Sequence, residues 1–477
     1  MQEARFDLVV LGAGSAGLTA ALVARGMGAS VAVVERDRLG GECTWRGCIP
    51  SKTLLAAARA CAVPKELRRF GLAMGADATI DTTGVMAHVR SVSARVAEHE
   101  SAAALGGYGI EVVPGDARFV GPNEVEVAGR RLSGRRFVVA TGSESRLPAV
   151  PGLDATTALT TDTLWDIDTL PASLAILGGG PVAVEMASAF ARLGTRVTLL
   201  VRSHLLRAEE PELVERLTAT LVSQGVDVLT GVSLQRVETD ADGAVLTVGA
   251  QTLHAERLLV ATGRTPVVPA GLEVAGVDIA ESGIVTDAHM RTTARHIFAA
   301  GDVCGPYHFT HTAEREGIAA ATNALLPLGP TVGWDDIVWV LFTDPELAHL
   351  GMTEERAREV HGDSVRVRRY DISGQDRARA EGGATGVAKY VLDRRGRLLG
   401  AHILGERAGE LINEAAILLR NGMPLSSLSS VLHAYPTFAD AVKRPADAEY
   451  AAALRSNPIV RGALRLLVGG KPLEAES

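Results

Sequence analysis

The stretch DLVVLGAGSAGLTAALVARGMGASVAVVER, residues 7–36, decides the fold. An apolar run leads into a glycine-rich turn, a small-residue segment follows, and a second apolar run ends in an acid, so the stretch predicts a βαβ unit. Gly12, Gly14 and Gly17 have GxGxxG spacing, which allows a tight turn, close approach of a pyrophosphate and close helix–strand packing. Glu35 follows Gly17 by 18 positions and can accept a hydrogen bond from a ribose hydroxyl. The stretch therefore predicts a dinucleotide site.

The same architecture recurs in LAILGGGPVAVEMASAFARLGTRVTLLVRSHLLR, residues 174–207. The positions of its glycine loop are Gly178, Gly180 and Ala183. Where the first copy has Glu35, the second offers Arg202 and Arg207, which can pair with a 2′-phosphate instead of repelling it. The first site therefore suits a dinucleotide with a free 2′-hydroxyl, and the second suits NADPH better than NADH. The alternative for the two arginines is an ordinary solvated strand end.

The composition restricts the class of protein. The 477 residues include 47% hydrophobic side chains, enough for several cores and about three domains. Four cysteines in so long a chain do not make a secreted disulfide framework, and the first residues lack a secretory signal pattern, so a cytoplasmic location is expected. The apolar stretches are shorter than the roughly 18 residues of a membrane span. The net charge of -8 comes without a basic stripe, so neither a membrane nor nucleic acid is expected as a partner.

Two of the cysteines, Cys43 and Cys48, lie in GGECTWRGCIPSK, residues 40–52. A structural disulfide, a metal site and a redox pair are the three alternatives. On an ideal helix the two positions lie roughly 7.5 Å apart along the axis and about 140° around it, so bonding requires a distorted turn. The residues that permit such a turn are Gly40, Gly41 and Gly47. Metal binding is the weaker alternative because no second Cys/His pair has zinc-like spacing, and no resident metal is predicted. Two dinucleotide sites imply electron transfer, which favours the redox pair.

Eight motifs together resemble the class I pyridine nucleotide-disulfide oxidoreductases, the flavoprotein family of glutathione reductase, dihydrolipoamide dehydrogenase and mercuric reductase. The motifs are GAGSAG (12–17), GGECTWRGCIPSK (40–52), ATGS (140–143), GGGPVAVE (178–185), ATGR (261–264), AAGDV (299–303), FTDPELAHLG (342–351) and HAYPTFAD (433–440). The resemblance implies an α/β fold with two Rossmann-like dinucleotide-binding domains, for FAD and NAD(P), and a C-terminal α+β interface domain that forms a homodimer. The expected segments are 1–150 (FAD, first part), 151–266 (NAD(P)), 267–336 (FAD and central, second part) and 337–477 (interface).

The resemblance also implies roles for single residues. FAD would occupy the first site, held in part by Asp302, and NADPH the second. Cys48 would be the thiolate that faces the flavin, and Cys43 the interchange thiol that meets the acceptor. Lys52 and Glu185 would form an ion pair beside flavin N5. Further cofactor contacts are expected from Ser15, Arg36, Gly41, Lys52, Ala117, Thr141, Gly142, Ser143, Gly263 and Thr310.

The HAYPTFAD motif departs from the pattern of the disulfide reductases. They have a histidine before the proline and a glutamate five positions later, whereas this chain has Tyr435 and Asp440. A phenol is a poor general base at neutral pH, so glutathione-like and lipoyl substrates are not favoured. The tyrosine favours the mercuric-reductase-like branch, although the closing residues GGKPLEAES include no cysteine pair to deliver a metal ion.

The sequence thus predicts an FAD- and NADPH-dependent oxidoreductase with a Cys43–Cys48 redox pair and a small-molecule electron acceptor. That acceptor would be a metal ion, a quinone or an unusual disulfide. The alternatives are a dihydrolipoamide-dehydrogenase-like or other low-molecular-weight disulfide reductase and, in another class, a redox-sensing flavoprotein.

Overall fold

The computed structural model describes residues 5–67, 70–72 and 79–468. The closing GGKPLEAES segment lies outside the described residues. The described residues form two compact units, and each is treated by itself. The first unit takes its residues from 1–61, 78–205 and 224–333, and the second takes them from 62–77, 206–223 and 334–477. The four segments expected from the sequence remain a prediction.

The 7–36 stretch forms the centre of the first sheet. Its strands β1 (Arg5–Leu11) and β2 (Val31–Glu35) flank helix α1 (Ser15–Gly26). The remaining strands are β3 (Ile110–Pro114), β4 (Ala117–Gly121), β5 (Glu124–Val127), β6 (Arg130–Val139) and β18 (Ile297–Ala299). The order is β3-β2-β1-β6-β5-β4, and β18 pairs with the last residues of β6. Strands β3, β2, β1, β6 and β18 are parallel, so their carboxyl ends meet at one edge.

Further helices alternate with these strands along the chain, and two of them carry the cysteine turn. They are α2 (Gly41–Trp45), α3 (Cys48–Leu67), α4 (Thr82–Ala97), α5 (Ala102–Gly107) and α8 (Thr310–Leu325). Helix α8 packs closely on α1, because a Cβ added at Gly317 would lie 2.4 Å from the carbonyl oxygen of Ala16. The close contact places α8 beside the first turn of α1.

The second copy of the motif forms a second parallel sheet in the same unit. Its elements are β8 (Ser173–Leu177), α6 (Pro181–Arg192), β9 (Arg196–Val201), β10 (Val226–Thr230) and β14 (Arg257–Val260), in the strand order β10-β9-β8-β14. Three further strands form an antiparallel sheet: β11 (Leu234–Asp240), β12 (Gly243–Val248) and β13 (Gln251–Ala255). Two small ribbons join β7 (Ser143–Ser145) to β15 (Arg264–Pro266) and β16 (Ile279–Ala280) to β17 (Gly283–Ile284).

The second unit is built on a five-stranded antiparallel sheet. Its strands are β19 (Val338–Leu341), β20 (Glu346–Gly351), β21 (Arg366–Asp371), β22 (Val387–Leu392) and β23 (Leu398–Gly405), in the order β19-β20-β23-β22-β21. Its helices are α7 (Pro211–Ser223), α9 (Glu354–His361), α10 (Asp376–Ala380), α11 (Ala408–Arg420), α12 (Asp440–Ser456) and α13 (Pro458–Val468). One face of the sheet buries the main apolar core, in which the Tyr390 hydroxyl donates to the Ala441 carbonyl oxygen at 2.8 Å.

The predicted fold class is confirmed: the first unit holds two Rossmann-like parallel sheets, and the second, C-terminal unit is α+β. Among the described residues, no helix has the length and apolar character needed to cross a bilayer. The cytoplasmic location stays a prediction.

Candidate active site

A break between two helices brings the cysteines of the GGECTWRGCIPSK turn together. Cys43 lies in α2, which ends at Trp45, and Cys48 is the first residue of α3. The amides of Arg46 and Gly47 both donate to the Glu42 carbonyl oxygen, at 2.8 and 2.6 Å. The interruption is the distorted turn that contact between the two side chains requires. Both cysteines are free thiols, and they hydrogen-bond to each other.

The two thiols differ in their ease of ionisation. The hydrogen bond from Cys43 lowers the pKa of Cys48 to about 6, and further contributions come from Thr310 and the Lys52 cation. The Oγ1 atom of Thr310, at the start of α8, lies 3.2 Å from the Cys48 sulfur. The same shared hydrogen bond and burial raise the pKa of Cys43. Cys48 is therefore the thiolate of the pair at neutral pH, and Cys43 keeps its proton.

Lys52 and Glu185 form the ion pair that the resemblance implied. The Lys52 ammonium lies one turn after Cys48 and donates to both Glu185 carboxylate oxygens, at 2.9 and 3.2 Å. Glu185 lies on α6 and is 5% exposed, so a cation is needed to balance its charge. The Lys52 ammonium lowers the pKa of Cys48, and the Glu185 carboxylate opposes it.

The first glycine loop leaves room for a ligand. A Cβ at Gly12 would lie 2.3 Å from the Ala140 carbonyl oxygen, so a side chain has no space there. A Cβ at Gly14 would have only the Gly41 Cα as a neighbour within 4 Å, at 3.9 Å. Ser15 begins α1, and no side chain caps the N-terminus of this helix. Glu35 is held at the end of β2 by the Ala13 amide, at 2.7 Å.

A polar cluster lies at the carboxyl edge of the first sheet. Ser143 donates to Asp302 at 2.6 Å, and Arg264 donates to the same Ser143 hydroxyl at 2.7 Å. Arg264 also pairs with Glu42 of the cysteine turn at 2.6 Å. Thr141 donates to the Val267 carbonyl oxygen. Arg264 was not identified from the sequence as a site residue, although the acid at position 42 of a glycine-rich turn was a signal that a cation lies nearby.

The other predicted cofactor contacts lie in varied surroundings. Gly178, Gly180 and Ala183 form the turn from β8 into α6, as the motif predicts. Arg202 is exposed directly after β9, and Arg207 is an exposed residue of the second unit.

The remaining predicted contacts are at least partly exposed to solvent. Ala117, at the start of β4, and Gly142 are half-buried, and Gly263 is exposed. Arg36 is exposed and lies 4.0 Å from Asp116. Their roles in binding stay predictions.

Tyr435 and Asp440 have different polar partners in the second unit. The Tyr435 hydroxyl donates to Asp376 at 2.6 Å, while Asp440 begins α12 and pairs with Arg444 at 3.7 Å within that helix. The bond to Asp376 raises the pKa of Tyr435 and keeps the phenol protonated. Sequence spacing pointed to Asp440 because it follows the family pattern, whereas Asp376 is 59 positions away. A second polar pair, His433 and Glu414 at 3.0 Å, was not identified from the sequence as a site.

Comparison with known proteins defines the family. Residues 6–317 match the pyridine nucleotide-disulphide oxidoreductase family, and residues 337–446 match its dimerisation domain. The chain belongs to this family. Proteins of the family bind FAD and NAD(P)H, and the dimerisation domain supports a homodimer.

Three known proteins are similar to this chain over most of its length. A mercuric reductase of Bacillus cereus is 34% identical over 92% of this chain and 70% of its own length. A dihydrolipoyl dehydrogenase of Thermus scotoductus is 35% identical over 93% of this chain and 97% of its own length. The solved structure of the HOCl-induced flavoprotein disulfide reductase RclA from Escherichia coli superposes with a TM-score of 0.83 at 28% identity, covering 92% of this chain and 99% of its own. The homologues are oxidoreductases that act on a disulfide or a metal ion with NAD(P)H.

The residues of the first unit fit the two cofactors of the family. The open space beside Gly14 and the N-terminus of α1 suits a pyrophosphate, and the carboxylate of Glu35 suits a ribose. The second glycine turn leads into α6 in the same way. The cysteine pair and the Lys52–Glu185 ion pair lie in the same unit as both loops.

Proposed function

We propose that this chain is an FAD-containing, NADPH-dependent homodimeric reductase that passes electrons through Cys43 and Cys48 to a small acceptor. The favoured acceptor is a soft metal ion held by thiolates, with a quinone as the second class. Bound FAD supplies the redox chemistry, taking two electrons from NADPH and releasing them to the cysteine pair. As the Cys43 thiol and the Cys48 thiolate become a disulfide, the pair gives two electrons to the acceptor and releases the one proton that Cys43 carried.

The asymmetric thiol pair is the observation that supports this proposal best. Cys48 has a pKa near 6 because Cys43 and Thr310 hydrogen-bond to its sulfur, so a thiolate is present at neutral pH without a separate base. Cys43 keeps its proton and is the thiol that an acceptor would meet. A pair with this division of roles suits electron relay better than a structural bridge.

Lys52 and Glu185 would position charge for this relay. The Lys52 ammonium contributes to the lowered pKa of Cys48, so it stabilises the thiolate. Glu185 holds the ammonium in place through two hydrogen bonds. A fixed cation at this position favours negative charge on whatever group lies beside it.

The acceptor preference rests on Tyr435. Exchange with a small disulfide needs a group that gives a proton to the leaving thiol and later takes one back. The Tyr435 phenol is engaged with Asp376 and has a raised pKa, so it is a poor base near pH 7. A thiol-bound metal ion or a quinone needs no such imidazole-assisted exchange. A dihydrolipoyl dehydrogenase activity is therefore not favoured.

The test is NADPH oxidation with a panel of acceptors: mercuric ion in excess thiol, a quinone, oxidised glutathione and lipoamide. We expect turnover with mercuric ion or quinone, and little with either disulfide. Cys48→Ser should reduce metal-ion turnover by about a hundredfold or more, because the thiolate relay is lost. Cys61→Ser is the matched control, since Cys61 is a half-buried cysteine on the same helix.

Tyr435→His should raise turnover with the two disulfides by about tenfold or more relative to the best other acceptor, because it restores an imidazole. Tyr435→Phe should not. The proposal fails if the unmodified protein reduces a small disulfide as fast as its best other acceptor. Slow NADPH oxidation with every acceptor would instead favour a redox-sensing role.

A further inference from the structure

We propose that the second unit binds one divalent transition-metal ion of the zinc class through Glu209, His349 and His402. This site is separate from the cysteine turn and is independent of the proposed reductase activity. All three residues belong to the second unit and are buried, with exposed fractions of 6%, 3% and 0%. One potential ligand atom from each lies within 4.8 Å of the others.

The sheet register brings the two histidines together. His349 on β20 and His402 on β23 are direct partners on neighbouring antiparallel strands. Alternate residues, such as Ala348 and Ile403, face the apolar core, so both histidines point to the opposite face. Glu209 lies in the segment that leads into α7 and contacts this face at His349. An ion here would tie that segment to two strands of the sheet.

Hydrogen bonding leaves the same ring nitrogen of each histidine available. His349 Nε2 lies 2.9 Å from the Gly351 carbonyl oxygen, and His402 Nε2 lies 3.0 Å from that of Met352. A carbonyl oxygen only accepts, so both Nε2 atoms carry the proton, and a neutral ring has its lone pair on Nδ1. Histidines that bind metals commonly donate their other ring N–H to a backbone carbonyl in this way.

The Glu209 carboxylate is also held in place for binding. The Trp339 indole N–H donates to its Oε1 atom at 2.5 Å, which directs Oε2 toward His349 Nδ1 at 3.0 Å. A carboxylate oxygen and an imidazole lone pair are both acceptors, so a proton or a metal ion must lie between them. The Trp339 ring stacks on the His349 ring at 3.6 Å and fixes its orientation.

The Nδ1 atom of His402 favours a metal ion over a proton in this cluster. A proton between Glu209 and His349 would satisfy those two groups and leave His402 Nδ1 alone. Within the described chain this atom is fully buried and has no hydrogen-bond partner. An unpaired buried acceptor costs free energy, whereas a metal ion would satisfy all three groups at once. Two imidazoles and one carboxylate form a known zinc ligand set with an open fourth position.

The nearby cation does not prevent binding. Lys389 on β22 is the register partner of His402, but its ammonium is paired with Glu210 at 2.6 Å and with Glu354 at 2.9 Å. Its charge is therefore balanced locally. The metal ion would meet one carboxylate and two neutral rings.

The test counts zinc in untagged protein that carries Cys43→Ser and Cys48→Ser, so that thiolates cannot bind the ion. Zinc is supplied in the growth medium, since buried ligands fill most easily as the chain folds. After desalting, inductively coupled plasma mass spectrometry should find about one zinc ion per chain. His402→Gln and, separately, Glu209→Gln should each lower the content to about a tenth or less. His254→Gln, at an exposed histidine, is the matched control and should keep the zinc.

Zinc X-ray absorption on the parent protein keeps the test decisive if a buried variant fails to fold. We expect a shell of nitrogen and oxygen with the scattering of two imidazoles. Thermal unfolding should also shift upward with zinc in the parent and not in the variants. The proposal is overturned if the parent holds no stoichiometric zinc. It is equally overturned if a folded His402→Gln or Glu209→Gln variant keeps the zinc, or if the shell lacks imidazole.

Discussion

The thiol of Cys48 shows how three neighbours can set the chemistry of one atom. Its sulfur receives a hydrogen bond from Cys43, lies 3.2 Å from the Thr310 hydroxyl and is near the Lys52 cation. Each of these favours the thiolate, and together they outweigh burial and the Glu185 carboxylate, which favour the neutral thiol. The pKa near 6 is therefore a property of the turn and not of cysteine itself.

This pKa predicts the pH dependence of alkylation in the reduced protein. The thiolate is the reactive form, so the rate of Cys48 modification by iodoacetamide should rise through about pH 6 and level off above it. Cys43, whose pKa is raised, should react slowly over the same range. Thr310→Val should move the Cys48 midpoint upward, because the thiolate loses a hydrogen-bond partner. Peptide mass spectrometry gives both rates.

Thr53→Val serves as the control, since the Thr53 hydroxyl donates to the Ile49 carbonyl oxygen within α3. It should leave the Cys48 midpoint unchanged. A midpoint near the ordinary thiol value in the unmodified protein would contradict the proposed thiolate role.

Arg202 and Arg207 carry the prediction of nucleotide preference. Each charge-assisted hydrogen bond to a 2′-phosphate contributes about 1.5 to 3 kcal/mol when well formed, and exposure reduces that value. Replacing both arginines with alanine should lower the preference for NADPH over NADH by about tenfold or more. The measurement is the ratio of kcat/KM for the two nucleotides. Arg196→Ala, at an exposed arginine on the other end of β9, should leave the ratio unchanged. Equal use of both nucleotides by the unmodified protein would refute the prediction.

At the scale of the element, helix α8 carries a glutamate, Glu316, whose carboxyl group is buried. Glu316 is fully buried and accepts a hydrogen bond from the Gly301 amide, beside Asp302. Burial and the nearby Asp302 together raise its pKa to about 8, although the hydrogen bond from the Gly301 amide opposes the shift. One carboxyl oxygen has no hydrogen-bond partner among the described residues. The carboxyl group is therefore protonated at neutral pH.

The raised pKa predicts how stability changes with pH. The folded state keeps a proton that the unfolded state loses above about pH 4.5, so this group's contribution to stability is fully present below that pH. The contribution falls by about 1.4 kcal/mol per pH unit and is lost once the pH passes about 8. Glu316→Gln should remove the dependence, because the amide stays neutral as the protonated carboxyl does, so denaturant unfolding of the two proteins should agree at low pH and differ most above about pH 8. Glu314→Gln, at an exposed acid on the same helix, should follow the unmodified protein. A difference that does not change between pH 5.5 and 8.5 would contradict the assignment.

Elements with a local signal could be predicted from the sequence, and contacts between distant segments could not. The glycine loops at Gly12 and Gly178 specify strand, turn and helix within about 30 residues, because chain geometry alone links those parts. Glu42, which pairs with Arg264, lies more than two hundred positions before it, in the cysteine turn. Asp376 lies 59 positions from its partner Tyr435, so the fold of the second unit sets that contact. Only the strand register shows that His349 and His402 of the proposed metal site are neighbours.

At the scale of the whole molecule, the second unit presents apolar surface that a single chain leaves in water. Leu432 is 99% exposed, and Val431 and Tyr435 beside it are also exposed. These residues lie within the matched dimerisation domain, which covers 337–446. An exposed leucine gains about 1.5 to 3 kcal/mol when it is buried, and a two-fold dimer buries two copies. The Leu432 patch is therefore expected to contribute to the homodimer.

Leu432→Asp should weaken dimerisation, because two carboxylates would have to leave water at the same interface. From the burial of two leucines we expect the dimer dissociation constant to rise by about a hundredfold or more. Sedimentation velocity across a concentration series measures this constant directly. Leu328→Asp is the matched control, since Leu328 is 89% exposed and lies outside both matched regions. The prediction fails if the unmodified protein is a monomer at micromolar concentration. It also fails if Leu432→Asp and Leu328→Asp dissociate alike, because the leucine at 432 would then be ordinary exposed surface.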